Sequence, residues 1–231
     1  MTITASLTGL TKTNLREQAL VSLRTAITSG QIPPESQMVE TELSDRLGIS
    51  RGTLREAMRQ LQQEGLLVAR SRGRLFVRRL GPKEISDVFA VRASLEGLAA
   101  GILAGVDPRS EIVAELRALL GEMARAIQEE NLEQRIESDL AFHRALCRLT
   151  GNESLLHTWE GLEGSIRMSI MYAGQDRAVG NMDVPRHDVL VDVIEAGDPA
   201  AATTAVHDHL AWAAGNLTSA GRAAGDPPEA G

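Results

Sequence analysis

Three short segments with helical spacing of apolar residues, each ended by a glycine, fill the first third of the chain and do most to limit its fold. Apolar residues recur every three or four positions in each segment, which places them on one face of a helix. Gly30, Gly48 and Gly65 follow the segments, and glycine commonly ends helices. The predicted helices span about residues 14–29, 39–47 and 51–64.

Two β-prone runs follow the third helix, at residues 66–69 and 75–77. They are joined by Arg70-Ser71-Arg72-Gly73-Arg74, and a glycine in so short a connection favours a hairpin. Helices in this order, followed by a two-stranded wing, are typical of a winged helix-turn-helix fold. We therefore predict that fold for residues 14–79.

The rest of the chain is predicted to be helical. Leu80-Gly81-Pro82 interrupts the pattern, and we place a linker at residues 80–83. Residues 84–217 contain no β-prone run of useful length, so a mainly α chain with an all-α antiparallel bundle is expected. Residues 1–13 and 218–231 are expected to be tails, the second unstructured. The predicted bundle helices span about residues 83–104, 108–128, 131–149, 152–173, 184–196 and 199–217.

Charge is distributed unevenly along a chain whose net charge is −7. Residues 14–79 carry eleven arginines against seven acidic residues, and residues 50–79 alone carry eight arginines against two glutamates. The remainder of the chain is correspondingly acidic. A basic N-terminal third indicates nucleic-acid chemistry there, although a solvated charged face would produce the same counts.

Composition argues against several other classes of protein. Aromatic residues make up only 3% of the chain, which disfavours stacking on single-stranded RNA as the main activity. Cys147 is the sole cysteine, so neither an intrachain disulfide nor a cysteine-based zinc cage is expected. Residues 1–12 lack the features of a signal peptide, and Arg92 and Glu96 interrupt the longest apolar stretch, residues 88–106. We expect a cytoplasmic protein without membrane contact.

The start of the third predicted helix, Gly48-Ile49-Ser50-Arg51-Gly52-Thr53-Leu54-Arg55, combines hydroxyl and guanidinium groups with little bulk. A helix end of this kind can approach DNA closely, and its free amides suit phosphate. Ser50 and Thr53 are expected to contact the DNA backbone, whereas Arg51 and Arg55 can bind bases or phosphates. The alternatives are ordinary helix capping by the two hydroxyls and a salt bridge from Arg55 to a scaffold glutamate.

Two runs in this region carry a family resemblance. They are Leu23-Arg24-x-x-Ile27-x-x-Gly30 and Glu42-Leu43-Ser44-x-x-Leu47-Gly48-Ile49-Ser50-Arg51-x-Thr53-Leu54-Arg55-Glu56-Ala57-Met58-x-x-Leu61-x-x-Glu64-Gly65-Leu66. The region resembles the DNA-binding domain of GntR-family bacterial transcription regulators. That resemblance implies that Arg51, Thr53, Arg55 and the wing residue Gly73 contact DNA. Arg72 and Arg74 of the wing are expected to reach a neighbouring groove.

Three positions depart from the family pattern. Pro34-Glu35 stands where Pro-Gly is usual, a basic residue is common near Thr41, and threonine is common where Gly52 stands. The first departure is expected to alter a loop. The other two bear on which operator sequence is bound.

Four residues of the second half form a candidate metal site. Asp139 and His143 are four residues apart, so a helix places both on one face. His187 and His209 lie on either side of Gly197-Asp198-Pro199, which suits a helix end, an N-cap and the start of the next helix. An antiparallel reversal there brings both imidazoles to a similar height. Such a set suits Zn, Ni, Mn or Fe(II), whereas a single histidine is more often a core residue without metal.

The pattern Asp139-x-x-x-His143, Gly151-Asn152, His187, Ile194-Glu195-Ala196-Gly197-Asp198 and His209 also carries a resemblance. It resembles the FCD domain, the all-helical ligand-binding domain of the FadR branch of the GntR family. The resemblance implies that Asp139, His143, His187 and His209 are metal ligands and that a small organic acid binds beside the metal. His157 and His207 are left as residues without metal.

Arginines within apolar helical faces are candidates to hold a second carboxylate of such an acid. Arg92 and Arg167 both interrupt faces of this kind, the alternative being a surface pair such as Arg92 with Glu96. Arg186 stands where an acidic residue often precedes the third ligand in the family, so the hydrogen bonding around the metal is expected to differ.

The two resemblances together imply a homodimeric transcription regulator, by default a repressor, on a pseudo-palindromic double-stranded operator. A small carboxylate effector bound at the metal would control operator binding. A regulator that responds to the metal alone is one alternative. A metal-dependent enzyme is the other, but the chain has no His-Glu-x-x-His run and no well-placed general base, so enzymatic activity is not expected.

Overall fold

The computed structural model describes residues 15–173 and 179–219, so the predicted tail 1–13 and residues 220–231 lie outside it. The helices that build the N-terminal unit are α1 (Leu15–Thr28), α2 (Glu40–Leu47) and α3 (Arg51–Gln63), followed by strands β1 (Leu67–Ala69) and β2 (Leu75–Val77). The bundle contains α4 (Pro82–Ala104), α5 (Ser110–Gln128), α6 (Leu132–Leu149), α7 (Glu153–Ala173), α8 (Val184–Ala196) and α9 (Pro199–Thr218). None of the described helices is both long and apolar enough to cross a bilayer.

The N-terminal unit is a winged helix-turn-helix, as its element order predicts. β1 and β2 pair antiparallel, with Leu67 opposite Val77. Arg72 and Gly73 in the connecting turn both have left-handed backbone, with φ of 61° and 70°. The apolar faces of the three helices meet in one core because each presents its apolar residues at helical spacing. Buried members of this core include Leu20, Leu23, Ile27, Leu54, Met58 and Leu61.

The loop between α1 and α2 keeps a backbone shape that glycine favours. Glu35, which stands where the family usually has glycine, has a φ of 70°. Its N–H donates to the carbonyl of Val77 at 2.9 Å, and its carboxylate accepts from Arg70 at 2.7 Å. These contacts hold a non-glycine residue in a left-handed conformation that it rarely adopts. Glu35 therefore holds, at the cost of backbone strain, a conformation that glycine adopts freely.

The tight turn before α3 is fixed by local hydrogen bonds. Gly48 ends α2 with a φ of 64°, and the next helix starts three residues later. Ser50 is the N-cap of α3, and its Oγ accepts from the N–H of Thr53 at 3.1 Å. Its hydroxyl also shares a hydrogen bond of 2.9 Å with the Thr53 hydroxyl. The capping interpretation is thus correct for Ser50, whereas the Thr53 side chain bonds to the Ser50 hydroxyl rather than capping the helix.

Replacing Ser50 with alanine is expected to lower the free energy of unfolding by about 1 kcal/mol, because the Thr53 N–H loses its acceptor. Thermal unfolding measures this effect. Ser22→Ala, on the exposed face in the middle of α1, is the matched control and is expected to cause no loss. An unchanged midpoint in Ser50→Ala would contradict the capping role.

In the bundle, α4 and α9 pack so closely that side chains are restricted at their contact. A Cβ built on Gly97 of α4 would lie 2.7 Å from the His207 ring, so any larger residue there requires that ring to move. Thr203 of α9 donates its hydroxyl to the carbonyl of Gly97 at 3.0 Å. The exposed ring of His207 thus lies over Gly97 at the edge of this contact.

The turn between α8 and α9 has the geometry that its three residues predict. Gly197 ends α8 in a left-handed conformation with a φ of 79°. Asp198 caps α9, because its side chain accepts from the N–H groups of Ala200 and Ala201, and Pro199 is the first helical residue. The chain reverses here, so residues at similar distances from the turn on α8 and α9 come close together.

The winged unit contacts the bundle through the end of α3. A Cβ on Gly164 of α7 would lie 2.5 Å from the carbonyl oxygen of Glu64, so the two backbones touch with no side chain between them. Arg24 of α1 donates from Nε and Nη2 to the two carboxylate oxygens of Glu64, at 2.9 and 2.7 Å. We call the approach of Gly164 to Glu64 the interdomain contact.

Candidate functional site

Three histidines from three different helices converge inside the bundle. His143 lies on α6, His187 on α8 and His209 on α9, and all three are buried. One ring nitrogen of each lies within 4.8 Å of one ring nitrogen of the others. The Nε2 atoms of His143 and His187 are 3.2 Å apart. The reversal at Gly197 places the last two rings side by side, with centroids 4.6 Å apart.

Asp139 lies next to two of these imidazoles. Its Oδ1 is 3.1 Å from Nε2 of His187 and 3.9 Å from Nε2 of His143. Asp139 and His143 share one face of α6 because they are four residues apart. The structure therefore brings the three predicted histidine ligands together and places Asp139 beside two of them.

The Nδ1 atoms of His187 and His143 each lie at hydrogen-bond distance from an acceptor, and this determines which ring nitrogen carries the hydrogen. Nδ1 of His187 is 2.7 Å from the backbone carbonyl of Asp183, which can only accept a hydrogen bond. Nδ1 of His143 is 2.7 Å from Oε2 of Glu96. Both Nδ1 atoms therefore carry the hydrogen, and in the neutral rings both Nε2 atoms present lone pairs to each other. Two lone pairs at this separation repel unless a cation lies between them.

Burial keeps these groups in the forms that a cation requires. It lowers the pKa of His143, and the nearby positive charge of Arg92 lowers it further. It also lowers the pKa of His209, to which the neighbouring imidazoles of His143 and His187 contribute. Burial would raise the pKa of Glu96, but Arg92 and His143 outweigh it and bring that pKa to about 2. At neutral pH the imidazoles of His143 and His209 are thus neutral and lie beside an ionised Glu96.

We expect the metal-free protein to lose stability as the pH falls from about 6.5 to 5, because unfolded histidines take up protons near 6.5 while His143 and His209 do not. The unfolded state then binds more protons, and each such histidine lowers the free energy of unfolding by at most about 1.4 kcal/mol per pH unit. Urea unfolding at several pH values measures the slope. The exposed-histidine variant His157→Ala should keep it, and a flat profile between pH 7 and 5 would contradict it.

Arg92 lies at the cluster, and Arg167 does not. Arg92 is 2% exposed, and its Nε donates to Oε1 of Glu96 at 2.6 Å. The alternative pair with Glu96 is thus formed, but in the interior rather than on the surface. Among the described residues, Nη2 of Arg92 has no hydrogen-bond partner.

Arg167 faces the winged unit instead. It forms ion pairs with Glu163 at 2.8 Å and with Glu137. It lines a cavity that it shares with Arg24 and Thr28 of α1, away from the histidines. Arg167 lies on α7 one turn after Glu163, and the packing of α7 on α6 directs it to Glu137. The structure therefore does not bring this candidate effector residue to the cluster.

A small cavity adjoins the cluster. It is lined by Arg92, Asp139, His143 and His209 together with Phe89, Ile170, Asn181, Met182, Leu210 and Ala213. Its volume is about 10 Å³, which is enough for about one water molecule. A ligand larger than this requires the lining side chains to move.

Sequence reasoning missed two contributors to the cluster. Glu96 was considered only as a partner of Arg92, although a carboxylate inside an apolar helical stretch was a signal of a buried role. The carbonyl of Asp183 carries no sequence signal at all.

Arg186 stacks on Trp212, with its guanidinium carbon 3.4 Å from the ring centroid, and donates to the carbonyl of His209 at 3.4 Å. It therefore packs behind His209, and its charge contributes to the lowered pKa of that histidine.

The predicted DNA-binding residues lie on the outer surface of the winged unit. Ser50, Arg51 and Arg55 are exposed, as are Arg72 and Gly73 in the wing. Thr53 is half-buried by its hydrogen bond to Ser50. Arg55 donates from Nε to Glu40 at 2.8 Å, so the alternative salt bridge to a scaffold glutamate is present. An exposed pair of this kind is weak enough to exchange for a phosphate.

The sequence matches two known families along most of its length. Residues 15–77 match the bacterial regulatory proteins of the gntR family, and residues 87–211 match the FCD domain. The chain belongs to the GntR family of transcription regulators. Its winged unit is the DNA-binding domain of that family, and its bundle is an FCD domain. Family members are transcription regulators rather than enzymes, which confirms the expectation from sequence that this chain is not an enzyme.

Individual relatives agree with this assignment. The chain is 29% identical over 202 residues to the "Probable D-xylose utilization operon transcriptional repressor" of Paenarthrobacter nicotinovorans, covering 87% of this chain and 88% of that one. It is 30% identical over 200 residues to an HTH-type transcriptional regulator in an unstable DNA locus of Streptomyces ambofaciens, covering 86% and 83%. A crystal structure of a GntR transcriptional regulator from Rhodococcus sp. RHA1 has the same fold, with a TM-score of 0.76, 23% identity and coverage of 91% and 100%.

Proposed function

We propose that this GntR-family regulator is a homodimeric repressor whose binding to a pseudo-palindromic operator is controlled by a small organic acid at a metal site in the FCD domain. Asp139, His143, His187 and His209 would hold the metal. Arg92 would bind a carboxylate of the acid, and residues of α3 and the wing would bind DNA.

The observation that carries the proposal is that two histidine nitrogens face each other with their lone pairs, beside Nη2 of Arg92, which has no hydrogen-bond partner in the described part of the chain. Nε2 of His143 and Nε2 of His187 face each other at 3.2 Å while their Nδ1 atoms are committed elsewhere. A divalent cation relieves their repulsion and uses the same atoms as ligands. Three nitrogens and one oxygen fit Zn, Ni, Mn or Fe(II). When bound, such an ion supplies positions at which a carboxylate oxygen can coordinate.

The unpaired nitrogen of Arg92 supports an acidic effector. A buried guanidinium N–H without a partner is unfavourable, and a carboxylate is the group that best satisfies it. Arg92 lines the same small cavity as Asp139, His143 and His209. A carboxylate there would contact both the cation and Arg92. Because the cavity is small, an acid of more than a few atoms displaces side chains that line it, and this displacement is the structural change available for signalling.

The interdomain contact supports transmission of that change to the operator. Ile170 of α7 lines the cavity beside the histidines, and Gly164 on the same helix touches the end of α3. A shift of α7 would therefore move α3, which carries Arg51. The acid alters operator affinity only to the extent that it binds one arrangement more tightly than the other.

An apolar stripe on α4 supports the homodimer. Val91 and Leu98 are 49% and 52% exposed and lie seven residues apart, the spacing of one face of paired helices. Val88 and Leu95 beside them are half-buried. A second copy of the same helix fits this stripe, and a two-fold dimer presents two α3 helices to a pseudo-palindromic operator. The repressor assignment is supported by the name of the Paenarthrobacter relative.

A thermal-shift experiment with metal-stripped protein tests the proposal. The arms are divalent metal alone, small mono- and dicarboxylic acids alone, both together, and D-xylose with metal as a ligand without a carboxylate. A ligand at one hundred times its Kd adds about 2.7 kcal/mol of stability, which for a chain of this length raises Tm by about 5–10 °C.

The outcomes separate the alternatives. A shift with metal and a further shift with an acid only when metal is present supports the proposal. A shift with metal and none with any acid would favour a regulator that responds to the metal itself. A response to D-xylose but to no acid would overturn the carboxylate assignment, and the absence of any metal-dependent shift would overturn the metal site.

A further inference from the structure

Glu96 is a buried carboxylate that accepts hydrogen bonds from three different side chains. The sequence predicted no function for it beyond a pair with Arg92. It lies on α4 and is fully buried. Three groups donate hydrogen bonds to its carboxylate: Nε of Arg92 at 2.6 Å, Nε1 of Trp159 at 2.7 Å and Nδ1 of His143 at 2.7 Å. These groups come from three helices, α4, α7 and α6.

The two oxygens of Glu96 have different partners. Oε1 accepts from both Arg92 and Trp159, whereas Oε2 accepts from His143. Two donors on Oε1 fix the rotation of the carboxylate, so Oε2 cannot turn away from the His143 ring without breaking both bonds. The position of the imidazole is therefore set from outside the cluster.

We infer that Glu96 is a positioning residue for the metal site, which holds His143 with its proton on Nδ1 and its Nε2 lone pair aimed at the cation. This inference rests on the proposed metal site. A carboxylate behind a ligating histidine also makes the ligating nitrogen more basic and tightens metal binding. Arg92 balances the negative charge of Glu96, so that the carboxylate is retained in the interior.

An ion pair that served packing alone would need only Arg92 and Glu96. The observed geometry differs from such a simple ion pair. Oε2 of Glu96 accepts a hydrogen bond from His143 of α6 rather than from a second nitrogen of Arg92. The consequence is that Nη2 of Arg92 stays without a partner among the described residues. One carboxylate thus orients a metal ligand and leaves a guanidinium N–H free beside it.

The first test uses the unaltered, metal-stripped protein. Long-range ¹H–¹⁵N NMR distinguishes a histidine protonated on Nδ1 from one protonated on Nε2, and the signals of His143 are assigned from their loss in His143→Gln. We expect the Nδ1-protonated form to dominate. A dominant Nε2-protonated form would overturn the inference, and it would do so whether or not metal binds.

The second test compares metal affinity by competition with a chromophoric chelator. In Glu96→Gln we expect the Kd for zinc to rise about 10–100-fold, with His143 shifting toward a mixture of tautomers. Trp159→Phe removes one donor from Oε1 but leaves the contact with His143, so its effect is expected to be smaller. His157→Ala, which changes an exposed histidine, is the matched control.

The results distinguish failure of this inference from failure of the metal site. If the unaltered protein binds zinc and folded Glu96→Gln binds it within twofold as tightly, Glu96 does not position a ligand. If the unaltered protein binds no divalent ion, the metal site itself is wrong and the inference falls with it. If Glu96→Gln does not fold, the tautomer of His143 in the unaltered protein decides the question.

Discussion

Replacing His187 with alanine is expected to weaken metal binding by about 10²–10³-fold. The estimate follows from structural zinc sites, where about 10–16 kcal/mol of binding free energy is shared among four ligands. His187 is the proposed ligand whose Nε2 lies close to both Asp139 and His143, at 3.1 and 3.2 Å, so its loss leaves the other groups without a common centre. We also expect the acid to stop releasing the variant from operator DNA, while DNA binding without the acid persists.

Isothermal titration with metal and a fluorescence-anisotropy assay of operator binding measure both effects. His157→Ala is the control, because His157 is an exposed histidine outside the cluster. It should behave as the unaltered protein in both assays. An His187→Ala variant that keeps its metal affinity would show that the cluster is a set of packed core histidines.

Replacing Arg51 with alanine is expected to remove most of the preference for operator over unrelated DNA. Arg51 is exposed at the first position of α3, where Ser50 fixes the helix start. An arginine bound to a base contributes about 1–3 kcal/mol of discrimination, or about 5–150-fold in affinity. Because Arg51 is an exposed side chain, the variant should keep the thermal stability of the unaltered protein.

The salt dependence of affinity separates base contact from phosphate contact. A lost phosphate contact reduces the slope of log affinity against log salt by about 0.9 and weakens all sequences equally. A lost base contact weakens the operator alone and leaves the slope unchanged. Arg59→Ala provides a control on the same helix, since Arg59 is exposed and paired with Glu56. If Arg51→Ala retains full preference for the operator, Arg51 does not bind bases.

Features decided by neighbouring residues could be predicted from the sequence. The cap at Ser50 and the reversal at Gly197-Asp198-Pro199 depend on backbone conformations that those residue types favour, so both follow from local chemistry. The convergence of His187 and His209 then follows from the reversal and the rise of a helix.

Features decided by helix packing could not be predicted in the same way. Arg92 and Arg167 look alike in the sequence, since each is an arginine in an apolar helical face. Arg92 points to the cluster because α4 packs on α6 and α7, whereas Arg167 meets Glu137, thirty residues away on α6. The hydrogen bond from His143 to Glu96 joins residues 47 positions apart and depends on the same packing. No spacing rule within one helix contains that information.

The backbones of Gly164 and Glu64 meet with no side chain between them, and this limits which DNA-binding domains and bundles can be exchanged between such regulators. A chimera that joins this winged unit to the bundle of another regulator would need a residue without a side chain at the equivalent point of the docking helix. Even an alanine methyl there would have to be accommodated within 2.5 Å of a carbonyl oxygen, which forces the grafted halves apart. Compatibility of exchanged halves can therefore be screened from a single position before any gene is built.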